Sequence, residues 1–215
     1  MPRGKQAPVG ECLRRLRKAY PQADCTLTFL DPLELMVATI LSAQCTDERV
    51  NQVTPTLFAK YRSAADYADA PPGQLEDDIR STGFFNNKAR NIRGACRVIA
   101  DRHGGRVPMD MDVLVTLPGI GRKTANVILG NSGHRPGGVV VDTHVGRVSR
   151  RLGWTAHDDP VKVEQDLNRL IPQEDWVRAG HELILHGRQV CHARKPRCTE
   201  CFLADVCPSA GRTDK

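Results

Sequence analysis

Apolar residues recur along most of the chain at intervals of three and four, which is the period of an amphipathic α-helix. This pattern predicts helices over residues 12–19, 33–41, 50–61, 74–79, 89–100, 111–117, 124–129, 145–152, 161–170 and 176–185. The alternation typical of strands is not sustained anywhere, and only residues 139–141 form a short β-branched run. Proline and glycine gather between the periodic segments, as in Pro71-Pro72-Gly73. We therefore predict an all-α protein with short helices and tight connections.

A length of 215 residues is enough for one or two compact domains. The formal charge of +6 suits a polyanionic partner, although a solvated basic surface explains it equally well. No stretch of about 18 apolar residues is present to span a membrane, and residues 1–10 lack the apolar core of a signal peptide. We therefore expect a soluble protein of the cytoplasm. In that reducing compartment, the eight cysteines favour metal ligation over disulfides wherever they cluster.

Four cysteines cluster near the C-terminus with the spacing Cys-x6-Cys-x2-Cys-x5-Cys. They are Cys191, Cys198, Cys201 and Cys207. Structural zinc sites usually pair their ligands in two Cys-x2-Cys knuckles, whereas this segment contains only one such pair. The spacing favours a [4Fe-4S] cluster and leaves zinc as the alternative. The remaining four cysteines lie scattered in apolar stretches and are expected to act as small hydrophobic residues.

Basic residues surround these cysteines, and no acidic residue occurs over residues 188–199. The basic residues are Arg188, Arg194, Lys195 and Arg197. Three of them belong to the six-residue loop between the first two cysteines, so ligation would tether this loop at both ends. We expect a preordered basic surface for phosphates, with a merely solvated loop as the alternative.

The segment Leu114-Val115-Thr116-Leu117-Pro118-Gly119-Ile120-Gly121-Arg122-Lys123-Thr124-Ala125-Asn126 is typical of a helix, a tight turn and a second helix. Backbone N–H groups of Gly119 and Gly121 at a helix N-terminus would bind an anion such as a DNA phosphate. Lys123 falls in the first turn of the second helix, where the helix dipole and Arg122 disfavour an ammonium ion and favour the nucleophilic amine. The alternative for Lys123 is a simple phosphate contact.

Asp142 follows the apolar run 139–141 and is expected to be the N-cap of the next helix. A carboxylate fixed by backbone N–H groups stays ionised and keeps its direction. It therefore also suits the stabilisation of a sugar cation, or the acceptance of a proton from a lysine.

Together these residues resemble the endonuclease III family, with the likeness running from Leu30 to Cys207. Further motifs that carry it are Leu41-Ser42-Ala43-Gln44 with Thr46-Asp47, Val141-Asp142-Thr143-His144 and Leu185-His186-Gly187-Arg188. The resemblance implies a six-helix barrel domain with the helix-hairpin-helix over residues 25–134. It also implies a discontinuous iron-sulfur domain over residues 1–24 and 135–215, and DNA bound in a cleft between the domains.

The resemblance further implies a bifunctional DNA glycosylase and AP lyase that removes oxidised pyrimidines. Lys123 would attack C1′ of a flipped nucleotide with the help of Asp142, and the resulting Schiff base would lead to strand cleavage by β-elimination. A flipped base leaves a hole in the duplex, and Gln44 and Phe84 match the residues that fill it. Without the resemblance, Gln44 could end a helix and Phe84 could belong to the core. His144 and Asp47 match supports of the site.

Two alternative functions stay open. A monofunctional mismatch or adenine glycosylase shares the cysteines and the hairpin but typically lacks a lysine at the position of Lys123. A non-catalytic DNA-binding module would use the hairpin and a structural metal only for docking. Three features depart from the family pattern: an aromatic residue at Phe84, where an aliphatic one is more usual, Cys45, and the loop 131–138. The resemblance therefore leaves open the preferred damaged base and the preferred opposite base. We expect a monomer that binds duplex DNA with damaged bases or abasic sites, with affinity falling steeply with salt.

Overall fold

A computed structural model of the chain describes residues 6–212, and within this range it contains helices and no strand. The all-α prediction is confirmed. The chain divides into two compact units, one over Cys25–Pro136 and one formed by Met1–Asp24 together with Gly137–Lys215. The sequence predicts the first domain over residues 25–134. The outermost residues of the second predicted domain, 1–5 and 213–215, lie outside the described range.

The unit over Cys25–Pro136 is built around one apolar helix. With α-helices numbered in chain order, its members are α2 Pro32–Leu41, α3 Asp47–Lys60, α4 Ala64–Ala68, α5 Gln74–Asp78, α6 Phe85–Arg102, α7 Met111–Leu114 and α8 Arg122–Asn131. Helix α2 buries six of its ten residues and packs against α3, α6 and α8, which makes it the centre of this core. It starts sharply, because Asp31 accepts a hydrogen bond from the Glu34 N–H and Pro32 occupies the first turn.

The periodicity did not predict helix α4, which has only five residues. A capping box starts it: the Ser63 hydroxyl accepts from the Asp66 N–H, and the Asp66 carboxylate accepts from the Ser63 N–H. Tyr67 of this helix is buried and stacks on Tyr61 with ring centroids 4.9 Å apart. The Ser63-x-x-Asp66 spacing is the sequence signal for this helix start.

The second unit contains α1 Val9–Ala19, α9 Thr143–Arg151, α10 Pro160–Leu170 and α11 Trp176–Gln189. Helices α1 and α9 both pack against α11, around a separate hydrophobic core. The β-branched run 139–141 is not a strand. Val139 and Val141 are buried in this core, and the Val139 N–H donates to Asn168 Oδ1 at 3.0 Å. The run is therefore a core segment that leads to Asp142.

Candidate active site and metal centre

The predicted helix-turn-helix is present between α7 and α8. A turn after α7 brings the Ile120 N–H to the Leu117 carbonyl at 3.1 Å, and the first bond of α8 runs from the Ala125 N–H to the Gly121 carbonyl at 2.9 Å. The N-cap of α8 is Gly121, which offers no side-chain acceptor to the first turn. The positive end of this helix is therefore available to an external anion.

The two glycines of this turn differ in what they require. Gly119 has a φ of 77°, and a Cβ added there would stand 2.7 Å from Cβ of Asn91 in α6. Gly121 has a φ of −89° and no atom within 4 Å of an added Cβ. The fold thus demands glycine at position 119, whereas the space beside Gly121 is open.

Lys123 is the second residue of α8, and its side chain is exposed. The structure places the amine where the sequence predicted it, in the first turn directly after the glycine turn. Arg122 precedes it as the first helical residue and is exposed as well.

Left-handed backbone conformations mark three of the residues predicted to contact DNA. In the described part of the chain, the non-glycine residues with positive φ are Gln44 at 51°, Phe84 at 49° and Lys195 at 48°. This conformation costs free energy for a residue with a Cβ, and such strain tends to occur at functional positions. Phe84 is 65% exposed, so it is not a core residue.

Asp47, predicted as a support of the site, is the first residue of α3, the helix that follows the Gln44 turn. Its Oδ2 accepts from Thr26 Oγ1 at 2.6 Å, which ties the start of α3 to the beginning of this unit. The Thr46 hydroxyl caps the same helix by accepting from the Arg49 N–H at 3.3 Å. Asp47 therefore anchors the chain directly after Gln44.

Asp142 is the N-cap of α9, as expected, and its Oδ1 accepts from the Val145 N–H at 2.8 Å. His144 follows in the first turn, and its Nδ1 lies 3.1 Å from Nη2 of Arg147. Arg147 also donates from Nη2 to the Gly187 carbonyl at 2.8 Å and from Nε to the Cys191 carbonyl at 3.0 Å. One arginine side chain thus joins the helix after Asp142 to the start of the cysteine segment.

The four clustered cysteines line one cavity, whose other walls include Val148, Leu152 and Leu203. Within residues 6–212, no three His, Cys, Asp or Glu side chains converge as ligands of a single metal ion. Four thiols around one shared cavity supply the thiolate ligands that a [4Fe-4S] cluster requires. The Leu203 N–H points to Cys201 Sγ at 3.4 Å, a contact of the kind that stabilises a ligating thiolate.

Arg151 and His186 border this centre. Arg151 Nη1 lies 3.2 Å from Cys191 Sγ and donates to the His192 carbonyl at 2.6 Å, while its Nη2 donates to the Ala193 carbonyl at 3.0 Å. Burial lowers the pKa of His186 to about 4, so its ring is neutral near pH 7. The His186 Nδ1 lies 3.1 Å from the Tyr20 hydroxyl, and its Nε2 lies 3.6 Å from Cys201 Sγ.

The predicted basic residues around the cysteines are exposed: Arg188, Arg194, Lys195 and Arg197. Besides the two bonds from Arg151, the loop is held by the Arg197 N–H, which donates to the Val190 carbonyl at 3.0 Å. Arg197 also lies 4.0 Å from Glu200. The loop therefore presents its charges from a backbone that is fixed at several points.

Sequence reasoning missed Arg147, Arg151 and the buried Lys88. The two arginines contact backbone about 40 residues further along the chain, which no local pattern reveals. Lys88 is only 4% exposed, although periodicity treats a lysine as a polar surface position. Lys88 follows Phe85 by three positions and precedes Ile92 by four, and this helical spacing to apolar residues is the signal that its side chain points inward.

Known protein families match both the region of the helix-turn-helix and the cysteine segment. The family model described as HhH-GPD superfamily base excision DNA repair protein matches residues 37–173, and the iron-sulfur binding domain of endonuclease III matches residues 191–207. The endonuclease III of Synechocystis sp. is 54% identical over 206 residues, covering 96% of this chain and 94% of that protein.

Two solved structures are similar along nearly the whole chain. One is a non-covalent endonuclease III-DNA complex, with a TM-score of 0.88, 45% identity and coverage of 95% of each chain. The other is a trapped endonuclease III-DNA covalent intermediate, with the same TM-score and identity and coverage of 95% of this chain and 96% of that one. The predicted fold class and iron-sulfur cofactor are confirmed by these matches. The chain belongs to the endonuclease III family, the iron-sulfur DNA glycosylases and lyases of base excision repair within the HhH-GPD superfamily.

Proposed function

We propose that this enzyme removes oxidised pyrimidines of the thymine glycol type from duplex DNA through a Schiff base on Lys123, and then cleaves the strand by β-elimination. The observation that carries the proposal is the exposed Lys123 amine in the first turn of α8, directly after the Gly119–Gly121 turn. A phosphate bound at this helix start would hold the deoxyribose of a neighbouring nucleotide close to the amine.

In the proposed reaction, the neutral amine of Lys123 attacks C1′ and the damaged base leaves with the electron pair of the glycosidic bond. The attached nitrogen then loses one proton, and opening of the sugar ring, with a proton passing to O4′, gives the iminium ion, which keeps the other N–H. Removal of a C2′ proton then expels the 3′ phosphate. The Asp142 carboxylate, held in direction by the Val145 N–H, stabilises the sugar cation or accepts the proton of the amine.

The remaining predicted residues take the DNA-binding roles in this proposal. The phosphates are contacted by the glycine turn, the start of α8 and the basic residues around the cysteines. These residues are Gly119, Gly121, Arg122, Arg188, Arg194, Lys195 and Arg197. Gln44 and Phe84 occupy the space of the extruded nucleotide, which their exposure and fixed turns support. His144 and Asp47 support the site through their bonds to Arg147 and Thr26.

The four cysteines would hold a [4Fe-4S] cluster. When bound, the cluster supplies four covalent links that fix the basic loop and the segment up to Cys207 around one centre.

We further propose that the enzyme acts as a monomer on nucleoid DNA in the cytoplasm. Sedimentation in the presence and absence of duplex tests whether it is a monomer. No helix in residues 6–212 is long and apolar enough to cross a bilayer.

Borohydride trapping on a duplex with one thymine glycol tests the activity. Wild type should release the base, nick the strand and form a covalent adduct, whereas Lys123→Ala should form none. Asp142→Asn should retain duplex binding and lose most of the trapping rate. Base release without an adduct would identify a monofunctional glycosylase, and equal binding of intact and damaged DNA without base release would identify a binding module.

A further inference from the structure

Lys88, in the second turn of α6, is an almost completely buried lysine. Only 4% of its surface is exposed, and Nζ donates to two backbone carbonyls, that of Leu41 at 2.7 Å and that of Thr82 at 2.8 Å. Burial lowers the pKa of this amine. Removing a lysine from water is costly, and the two bonds to backbone carbonyls offset part of that cost.

The two carbonyls end two separate elements. Leu41 is the last residue of α2, and Thr82 is the last residue of the 3-10 helix Arg80–Thr82. Terminal carbonyls of a helix lack an intrahelical partner and carry the negative end of its dipole, so an ammonium group satisfies both needs at once.

Directly beyond each carbonyl, the chain enters a left-handed turn at a residue with a side chain. Gln44 follows Leu41 by three positions, and Phe84 follows Thr82 by two. Both side chains are exposed, and both conformations are unfavourable for residues with a Cβ, so each turn requires support from its surroundings. Lys88 is bonded to the start of both turns.

We propose that Lys88 is a positioning residue that holds the Gln44 and Phe84 turns at a fixed separation, so that both side chains enter the duplex together where a nucleotide has been extruded. This inference rests on the proposed function, because it assumes that Gln44 and Phe84 enter DNA. It adds that their insertion depends on one buried amine that touches no DNA.

The geometry explains why one amine serves this purpose. Its N–H groups diverge tetrahedrally from one atom, so two carbonyls that accept from Nζ must remain within a few ångströms of each other. A loss of this atom would free the two turns to move independently, while α8, which carries Lys123, would keep the core contacts of Ala125, Ile128 and Leu129. The predicted defect is therefore confined to substrates that need a filled hole in the duplex.

The test compares strand cleavage by Lys88→Met on a preformed abasic site in duplex DNA and in a single strand, which has no opposite strand to separate. Lys60→Met is the matched control, because Lys60 belongs to the same unit and pairs with Asp78 near the surface. Insertion is followed separately, by the fluorescence of 2-aminopurine opposite a stable tetrahydrofuran abasic analogue.

We expect Lys88→Met to lose about tenfold to a hundredfold in single-turnover rate on the duplex, since small misplacements have effects of that size. Its single-strand rate should be unchanged, and its 2-aminopurine response should fall. Lys60→Met should match wild type in all three measurements. Equal losses on both substrates, or a wild-type duplex rate in Lys88→Met, would overturn the proposal. If wild type cleaves neither substrate, the proposed function itself fails.

A second variant covers the case in which Lys88→Met does not fold. Lys88→Arg keeps the charge and the donors, so it should fold and retain the single-strand rate while showing a smaller duplex defect. The triple variant that combines Lys88→Arg with Gln44→Ala and Phe84→Ala should lose no more duplex rate than the double variant Gln44→Ala with Phe84→Ala. In the double variant, the turns no longer carry the side chains that Lys88 positions. Fully additive losses would contradict the proposal.

Discussion

Gly187 and His144 lie so close together that a Cβ added to Gly187 would stand 2.8 Å from the His144 Cβ. This contact brings α11 against the first turn of α9, the helix that Asp142 caps. The same added atom would lie 3.1 Å from Arg147 Nη2, which bonds the Gly187 carbonyl. The position of α9 therefore depends on the absence of a side chain at residue 187.

Gly187→Ala should lower the free energy of unfolding by about 1–3 kcal/mol, the usual range for overpacking. It should also reduce activity, because it pushes on His144. Gly180→Ala in the same helix is the control, since its added Cβ would have no neighbour nearer than the Val140 carbonyl oxygen at 3.8 Å. That variant should be neutral, or gain up to about 1 kcal/mol from helix propensity. Urea unfolding of both variants measures the difference, and equal stabilities would refute the close contact.

The two glycines of the α7–α8 turn should separate folding from DNA binding. Gly119→Ala should destabilise the protein, because the residue has a φ of 77° and an added Cβ would clash with Asn91. Gly121→Ala should fold normally, since its backbone is extended and the space around it is open. Its methyl group should nevertheless weaken duplex binding, if a phosphate approaches the start of α8. Thermal unfolding and fluorescence anisotropy with a duplex distinguish the two effects, and unchanged binding by Gly121→Ala would argue against a phosphate there.

The ion pair between Glu76 and Arg93 should make part of the stability depend on acid. Arg93 donates to both carboxylate oxygens, at 3.0 and 3.2 Å, and holds the pKa of Glu76 below its usual value. Its stabilisation is thus complete above the unfolded-state pKa of about 4.3 and disappears as the pH falls through the lower folded-state value.

Glu76→Gln should cost about 1 kcal/mol or less at pH 7, given the partial exposure of the pair. The difference in the free energy of unfolding between Glu76→Gln and wild type should shrink towards zero as the pH falls below the pKa of Glu76 in the unfolded chain. Asp77→Asn, which breaks a pair with Arg80 that is more than half exposed on both sides, is the control and should change little. Denaturant unfolding at several pH values measures both variants. A stability difference between Glu76→Gln and wild type that grows in acid would contradict a lowered pKa of Glu76 in the folded protein.

Arg151 should protect the cysteine centre through its bonds to the His192 and Ala193 carbonyls and its contact with Cys191 Sγ. Arg151→Met should speed the loss of visible iron-sulfur absorbance in air or chelator several-fold, because the loop after Cys191 loses these bonds and solvent reaches the centre. Arg150→Met is the control, because Arg150 is adjacent to Arg151 in the sequence but pairs with the exposed Asp158. This variant should lose its absorbance at the wild-type rate. Identical bleaching of both variants would show that Arg151 does not secure the loop.

Long amphipathic segments such as α6 and α10 were predictable, because the periodicity of a helix and its burial agree along many residues. The cap of α9 was predictable for a related reason, since Asp142 precedes the helix and bonds within three residues. Helix α4 was not, because five residues are too few to show a period. Lys88 and Arg151 were hidden for another reason: their partners are brought to them only by the folded chain, as with the Leu41 carbonyl, 47 residues before Lys88.

The proposed activity depends on a covalent bond between the amine of Lys123 and deoxyribose. The most direct measurement is to trap wild type with borohydride on an abasic duplex, digest the product, and locate the nucleotide adduct by tandem mass spectrometry. We expect the adduct on the Lys123 peptide, with none formed by Lys123→Ala. An adduct on another lysine or on the N-terminal amine, with wild-type yield from Lys123→Ala, would contradict it.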